Sequence, residues 1–234
     1  MSIADKTVLI TGASRGIGQA LTDEALRRGA GRVYAAARRP AAHPDERVTP
    51  LRMDVTDAAQ VQAAAMRVGT LDLLVNNAGL ALFEGLGDRA TLERHLAVNL
   101  FGTYAVTEAF LPQLTSSRGA IVNNLSLNSL APLPALAAYS VSKAAAFSLT
   151  QSLRTSLAER GVRVHAVLTG PTDTDMVRGL DIPKASAESV ARAIFDAVDR
   201  GEEDIFPDPL AQSLADGWRN GAVKAFERQL AQVR

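Results

Sequence analysis

Along the chain, short runs of β-branched and apolar residues alternate with longer stretches whose apolar positions recur at helical spacing. The runs cover residues 7–10, 32–36, 49–53, 71–75, 120–123 and 162–168, and their nearly continuous apolar character predicts strands buried on both faces. A late run at 204–206 predicts an edge strand. Helical patterns cover 19–28, 56–68, 91–114, 139–160 and 187–200, most of them ending near Gly or basic residues. This alternation predicts an α/β fold in which a doubly wound parallel sheet carries helices on both faces. Its ligand crevice then lies beyond the carboxyl ends of the strands. Residues 209–234 predict one more helix, carrying Trp218, Val223, Phe226 and Leu230, in a C-terminal extension that starts at about residue 205.

Composition narrows the picture. With 234 residues, 47% of them hydrophobic, the chain suffices for one sizeable core, and no repeat or linker marks a second unit, so a single domain over 1–234 is expected. Lys plus Arg and Asp plus Glu both number 25, without long runs of either sign, so neither nucleic acid nor a membrane surface is an expected partner. Cysteine is absent, which excludes disulfides, thiol catalysis and thiolate metal sites. The first residues lack an export signal, and no apolar run approaches the roughly 20 residues of a membrane span, so a cytoplasmic protein is expected. His43 in a Pro-rich loop, His95 in an exposed helical stretch and His165 in a strand show no metal-ligand spacing, and no metal is expected.

Chemistry concentrates where strands end. Directly after the first strand comes Thr-Gly-Ala-Ser-Arg-Gly-Ile-Gly at 11–18, and a helical pattern follows at once. Gly12, Gly16 and Gly18 let the backbone turn tightly and approach a pyrophosphate, with Ser14 and Ile17 beside it at the positive end of the next helix. A glycine pattern alone also fits an ordinary strand-to-helix turn. At the end of the second strand stands Ala37, where a carboxylate would accept the ribose hydroxyls of NAD and repel the 2′-phosphate of NADP. Arg38 follows it and Arg15 lies in the glycine loop, placed to converge on that phosphate through charge-assisted bonds of roughly 1.5–3 kcal/mol each. The plainer reading of Arg38 and Arg39 is a solvated basic turn.

Tyr139 opens a helical pattern, and Lys143 lies one turn later on the same face. A free phenol titrates near pH 10, but an adjacent ammonium and an oxidised nicotinamide would stabilise the phenolate. Tyr139 would then exchange a proton with a substrate oxygen while hydride moves. Alone, the pair also fits a packed ring and a solvated amine.

The glycine spacing, Asp54-Val55, Asn76-Asn-Ala-Gly79, Asn99, Ser126, Tyr139-x-x-x-Lys143 and Gly170-Pro-x-x-Thr174, all in order from residue 7 to about 200, resemble the short-chain dehydrogenases/reductases. The resemblance implies a Rossmann-like fold and an NADP-preferring member that uses NADP(H). It implies adenine contacts at Asp54 and Val55, although Asp54 also reads as a helix cap. It places Asn77, Ala78 and Gly79 beside the cofactor, and Gly170, Pro171, Thr172 and Thr174 around the nicotinamide. The family segment usually begins Pro-Gly; here Thr169 replaces that proline. Ser126 is implied as the holder of the substrate oxygen, ahead of Ser129. Asn99 is implied as the fourth catalytic residue, holding a water that links Lys143 to solvent, with a helix kink as the structural alternative. Asn123 and Asn124 are assigned structural roles.

The substrate walls are expected at residues 80–83, Leu127, residues 130–136 including Leu133, and Met176, beside Ser126 and Tyr139. These positions are mostly apolar and carry no recurrent cationic clamp, so the expected substrate is a small hydrophobic carbonyl compound or the corresponding alcohol. The short stretch 175–185 suggests an open lid. Family resemblance implies a homodimer or homotetramer, for which Phe101, Tyr104, Phe147 and Leu153 are candidate outer positions. The alternative function is a non-catalytic NADP(H)-binding sensor or scaffold. The set Asn99, Ser126, Tyr139 and Lys143 favours turnover, because a sensor needs only the phosphate loop.

Overall fold

The computed structural model describes residues 1–231. Seven parallel strands form one sheet in the order β3-β2-β1-β4-β5-β6-β7. They are β1 (Thr7–Thr11), β2 (Arg32–Ala37), β3 (Val48–Arg52), β4 (Leu73–Asn76), β5 (Ala120–Asn124), β6 (Arg163–Val167) and β7 (Asp204–Ile205). The helices are α1 (Gly16–Arg27), α2 (Ala58–Arg67), α3 (Arg89–Leu96), α4 (Thr103–Ser117), α5 (Ala137–Leu157), α6 (Ala187–Arg200), α7 (Pro209–Arg219) and α8 (Ala222–Leu230). The chain winds outward one way through β2 and β3 and the other way from β4, so the crevice opens between the ends of β1 and β4.

Apolar residues on alternate sides of the strands build two cores. On one face Val8, Ile10, Leu73 and Val75 meet Leu21 and Ala25 of α1 and Val190, Ile194 and Phe195 of α6. On the other, Leu9, Leu74 and Ile121 meet Val61 of α2, Val106 and Phe110 of α4, and Leu153 and Leu157 of α5. Phe147 also faces inward, against Trp218 at 5.6 Å between ring centroids. Phe147 and Leu153 are therefore not outer positions: both are buried, Phe147 toward the C-terminal helices and Leu153 in the core beneath α5. Phe101 and Tyr104 stay 60% and 46% exposed.

Two expected helices are interrupted. The pattern at 91–114 contains a π-helical stretch, Ala97–Gly102, between α3 and α4. The segment from 209 on is two helices, broken around Asn220 and Gly221, and its last three residues, 232–234, lie outside the described ones. The break lets α8 turn back onto the end of the sheet. Lys224 reaches Asp204 at 2.7 Å, Arg154 reaches Asp204 at 2.8 Å and Glu227 at 2.6 Å, and Trp218 Nε1 donates to Asp204 Oδ2 at 2.8 Å. Trp218 is thus half-buried, whereas Val223, Phe226 and Leu230 are exposed. Among the described residues no helix is long and apolar enough to cross a membrane.

Candidate active site

The loops leaving the carboxyl ends of the strands are tied together by their own polar groups. Thr11 Oγ1, at the end of β1, accepts the Asn77 and Ala78 amides, both at 2.9 Å. Asn77 Nδ2 donates back to Thr11 O at 3.0 Å. The Ala13 amide donates to Ala36 O at 3.0 Å, which sets the glycine loop against the end of β2. Gly12 and Gly16 have φ of 66° and 55°, a region that residues with a Cβ rarely enter. A Cβ on Gly18 would stand 2.2 Å from Gly12 O and 2.6 Å from Asn77 Nδ2. The first turn of α1, entered from an extended Arg15, has no side-chain cap on its amides. Free donors at a positive helix end, behind a loop that tolerates no side chain at Gly18, fit a pyrophosphate.

Around this loop, Ser14 and Arg15 are exposed and Ile17 packs partly on the core. Arg38 and Arg39 are exposed at the end of β2. Arg15 donates to Asp175 Oδ2 at 3.0 Å, so one of the two guanidinium groups expected to meet on a phosphate is engaged by the segment after β6. Asp54 Oδ1 accepts Thr56 N at 3.0 Å and Thr56 Oγ1 at 2.8 Å. The cap of α2 is Asp57, which takes the Ala59 and Gln60 amides, so the cap alternative for Asp54 does not hold. Val55 is wedged on the π-helical stretch, where a Cβ on Gly102 would meet its Cγ2 at 2.7 Å.

Tyr139 and Lys143 stand in the first turns of α5, 8% and 5% exposed. Lys143 Nζ donates to Asn124 O at 2.8 Å and lies 5.7 Å from the centroid of the Tyr139 ring. Burial pushes the Tyr139 phenol up to about 12, outweighing the downward pull of its hydrogen bond with Ser126. Burial pushes the Lys143 ammonium down to about 8. Ser126 Oγ also accepts the Asn128 amide at 3.1 Å, which orients the hydroxyl from the turn after β5. Ser129 Oγ is buried without a partner among the described residues; of the two hydroxyls, it is that of Ser126 that draws the Tyr139 phenol down against burial.

Asn99 sits in the π-helical stretch. Its Oδ1 accepts Leu80 N at 2.8 Å, and its Nδ2 donates to Leu80 O and to Ser142 Oγ, both at 2.9 Å. Ser142 Oγ in turn donates to Tyr139 O at 2.6 Å. A polar side chain that would be costly in an apolar helix is therefore satisfied by clamping the loop after β4 to the helix that carries Tyr139. A Cβ on Gly79 would lie 3.8 Å from Lys143 Nζ, so that loop passes beside the ammonium.

Asn124 joins the other elements. Its Nδ2 donates to Asn77 Oδ1 at 2.9 Å, and its Oδ1 accepts Thr169 Oγ1 at 2.8 Å. Thr169, the departure from the family's proline, thus supplies a hydroxyl that fastens the end of β6 to Asn124 and through it to Asn77. Asn123 bonds Asn76 and Thr150 inside the core. Beyond Thr169, Thr172 Oγ1 donates to Gly170 O at 3.3 Å, Pro171 O accepts the Ala185 amide at 3.0 Å, and a Cβ on Gly16 would touch Thr174 Cγ2 at 3.0 Å. The segment expected at the nicotinamide and the glycine loop are neighbours. Gly170 N donates to Asp208 Oδ2 at 2.7 Å, and Asp208 caps α7. Asp208 escaped sequence reasoning because its Asp-Pro step signals only a helix start.

Leu127, like Leu130, is partly buried against the cluster that contains Leu125, Phe147 and Leu168, while Leu133 and Met176 are exposed at the rim. His95 lies in a helix whose Arg89, Ala90, Glu93 and Arg94 are exposed, but its own side chain is not. It is fully buried, because both ring nitrogens find partners: Nε2 accepts Leu82 N at 3.1 Å and Nδ1 lies 2.9 Å from Thr91 O. Among the described residues no three His, Asp or Glu side chains converge as metal ligands. A separate cavity of about 390 Å³ between α6 and α7 is lined by Arg200, Glu202, Asp216 and Arg219. Its arginines are ion-paired to Glu202, and it lies away from Tyr139.

Residues 6–184 match the model of the short chain dehydrogenase family. Oxidoreductase UcpA of Salmonella typhimurium is 34% identical over 82% of this chain and 81% of its own. The 2-(S)-hydroxypropyl-CoM dehydrogenase 3 of Xanthobacter autotrophicus is 36% identical over 82% of each. A short chain dehydrogenase from Burkholderia cenocepacia, solved in complex with NADP, is 37% identical, with a TM-score of 0.88 over 97% of this chain and 99% of the other.

Proposed function

The chain belongs to the short chain dehydrogenase family, and from that premise we propose that it is an NADP(H)-dependent carbonyl reductase acting on hydrophobic ketones or aldehydes and the corresponding alcohols. The observation that carries this reading is the buried Tyr139 phenol, with Lys143 beside its ring and held on Asn124 O, and with the Ser126 hydroxyl pulling against the effect of burial.

The residues that would hold the cofactor are Gly12, Ser14, Arg15, Gly16, Ile17 and Gly18 at the phosphates, Asp54 and Val55 at the adenine, Asn77, Ala78 and Gly79 along its length, and Gly170, Pro171, Thr172 and Thr174 at the nicotinamide. NADP is favoured by Ala37, which leaves no carboxylate at the end of β2, and by Arg38. The Arg15–Asp175 pair is exposed and of little net worth, so a phosphate competes with it. When bound, the nicotinamide supplies or takes up the hydride.

The side chains handle the proton. With its phenol pushed up to about 12, Tyr139 stays protonated at neutral pH and is ready to donate to a substrate oxygen. Ser126 holds the same oxygen. Lys143, still charged below about pH 8, lowers the cost of the phenolate left behind. Asn99 holds Leu80 and the Tyr139 helix in place and completes the relay toward solvent. Leu127, Leu133 and Met176 border the substrate. The exposed pair Phe101 and Tyr104 supports a homodimer or homotetramer, and the lack of any membrane-spanning helix among the described residues agrees with a cytoplasmic protein.

The test is NADPH oxidation followed by absorbance with ketones, aldehydes and quinones, beside NADH and beside Tyr139→Phe. Turnover with NADPH that drops about 10²–10⁴-fold in the variant is expected. Tight NADPH binding without turnover on any carbonyl would favour a sensor instead, and full turnover in Tyr139→Phe would remove Tyr139 from the mechanism.

A further inference from the structure

His95 and Asn99 stand one turn apart, on α3 and at the π-helical stretch, and both reach the loop after β4. Asn99 takes both backbone groups of Leu80. His95 Nε2 takes the amide of Leu82. Because that partner is a donor and Thr91 O is an acceptor, the ring is neutral with its proton on Nδ1. The same ring stands edge-on to Tyr139, centroids 6.3 Å apart and planes at 68°. One imidazole therefore touches a wall expected to face the substrate and the residue expected to give the proton. An aliphatic side chain of similar bulk would fill the space but leave the Leu82 amide without its acceptor.

We propose that His95 is a positioning residue that sets the gap between the Leu82 wall and Tyr139, and thereby the size of carbonyl substrate that docks beside the phenol. This rests on the carbonyl reductase reading. Small ketones leave slack in such a gap, whereas an aryl ketone has to match it. A displacement of about 1 Å at a reacting centre is enough to cost on the order of a hundredfold.

The experiment compares wild type, His95→Leu and His95→Gln with acetone, cyclohexanone and acetophenone, and measures NADPH binding by fluorescence on the same samples. In His95→Leu, KM for acetophenone is expected to rise about tenfold or more, with a smaller change for acetone and NADPH affinity within about twofold of wild type. In His95→Gln, whose amide oxygen again accepts from Leu82, most of that loss is recovered. A histidine that serves only the core would lower thermal stability and active fraction while leaving KM and the ranking of ketones unchanged, and that result overturns the proposal. Should the leucine variant not fold, ring ¹⁵N spectra of the unsubstituted protein, which has three histidines, decide it. The His95 resonances are expected to report an Nδ1–H ring and to move when acetophenone is added to the NADP⁺ complex; resonances of any other tautomer, or unmoved by acetophenone, overturn the assignment. Wild type that binds NADPH but reduces none of the ketones removes the carbonyl reading and this inference together. Wild type that reduces them while both variants keep its kinetics removes this inference alone.

Discussion

Asp208 accepts the amide of Gly170 at 2.7 Å while its other oxygen caps α7 at Ala211 N, so one carboxylate joins the segment proposed to hold the nicotinamide to the C-terminal helices. A Cβ on Gly170 would stand 2.5 Å from that carboxylate, which explains why glycine is needed there. Asp208→Ala strands the Gly170 amide and uncaps α7, for a combined loss of about 2–4 kcal/mol of stability. Thermal melts should register it. Because Gly170 lies in the expected nicotinamide contact, NADPH affinity should fall as well, and a variant with lowered melting temperature but unchanged affinity would confine Asp208 to the helix cap.

Arg38 is exposed at the end of β2, beside the glycine loop. Arg38→Glu is expected to weaken NADPH binding by about 10–100-fold and NADH binding by far less, the size of one charge-assisted bond to a phosphate plus the new repulsion. Titrations of both cofactors against wild type and variant decide it. Equal losses would make Arg38 a bystander.

Burial sets Lys143 down to about 8 and Tyr139 up to about 12. Carbonyl reduction needs the phenol protonated and the lysine charged. The first condition holds across the working range; the second is lost as pH rises through about 8. The kcat/KM profile for reduction should therefore decline on its alkaline side around that value, and a profile flat to pH 10 would argue against the ammonium's role.

Burial pushes the Asp204 carboxyl up, but Arg154, Lys224 and Trp218 together hold it below its ordinary value. A carboxylate with a lowered folded-state pKa contributes stability above its unfolded pKa of about 3.9 and loses it as pH falls through the folded value. Acid should thus loosen α7 and α8 before the main sheet unfolds. Hydrogen exchange near pH 3 should show the amides of α8 opening ahead of those of β1 and β4.

The order of strands and helices was legible because parallel strands buried on both faces leave continuous apolar runs. The glycine loop, Tyr139 and Lys143 were legible because their spacings are geometric requirements. Other features were not. The π-helical stretch is made by contacts from outside it, Leu80 on Asn99 and Val55 on Gly102, which local periodicity does not contain. The break at Asn220 and Gly221 brings Lys224 onto Asp204, a contact across the sheet edge that the helical periodicity of the segment does not contain. His95 read as exposed because the helix around it is polar; its partners are backbone groups, which leave no trace in side-chain patterns. Phe147 and Leu153 read as outer positions for a related reason, since a long helix packed on a sheet hides more than one stripe.

Asn124 bonds Asn77, Thr169 and Lys143 from three different atoms. Positions 124 and 169 therefore form one unit of inheritance rather than two. Exchanging Thr169 for the proline common in the family would leave Asn124 Oδ1 without its donor and free the amide that aligns Asn77. Transplanting a nicotinamide segment from a relative into this chain would thus succeed only if position 124 travelled with it.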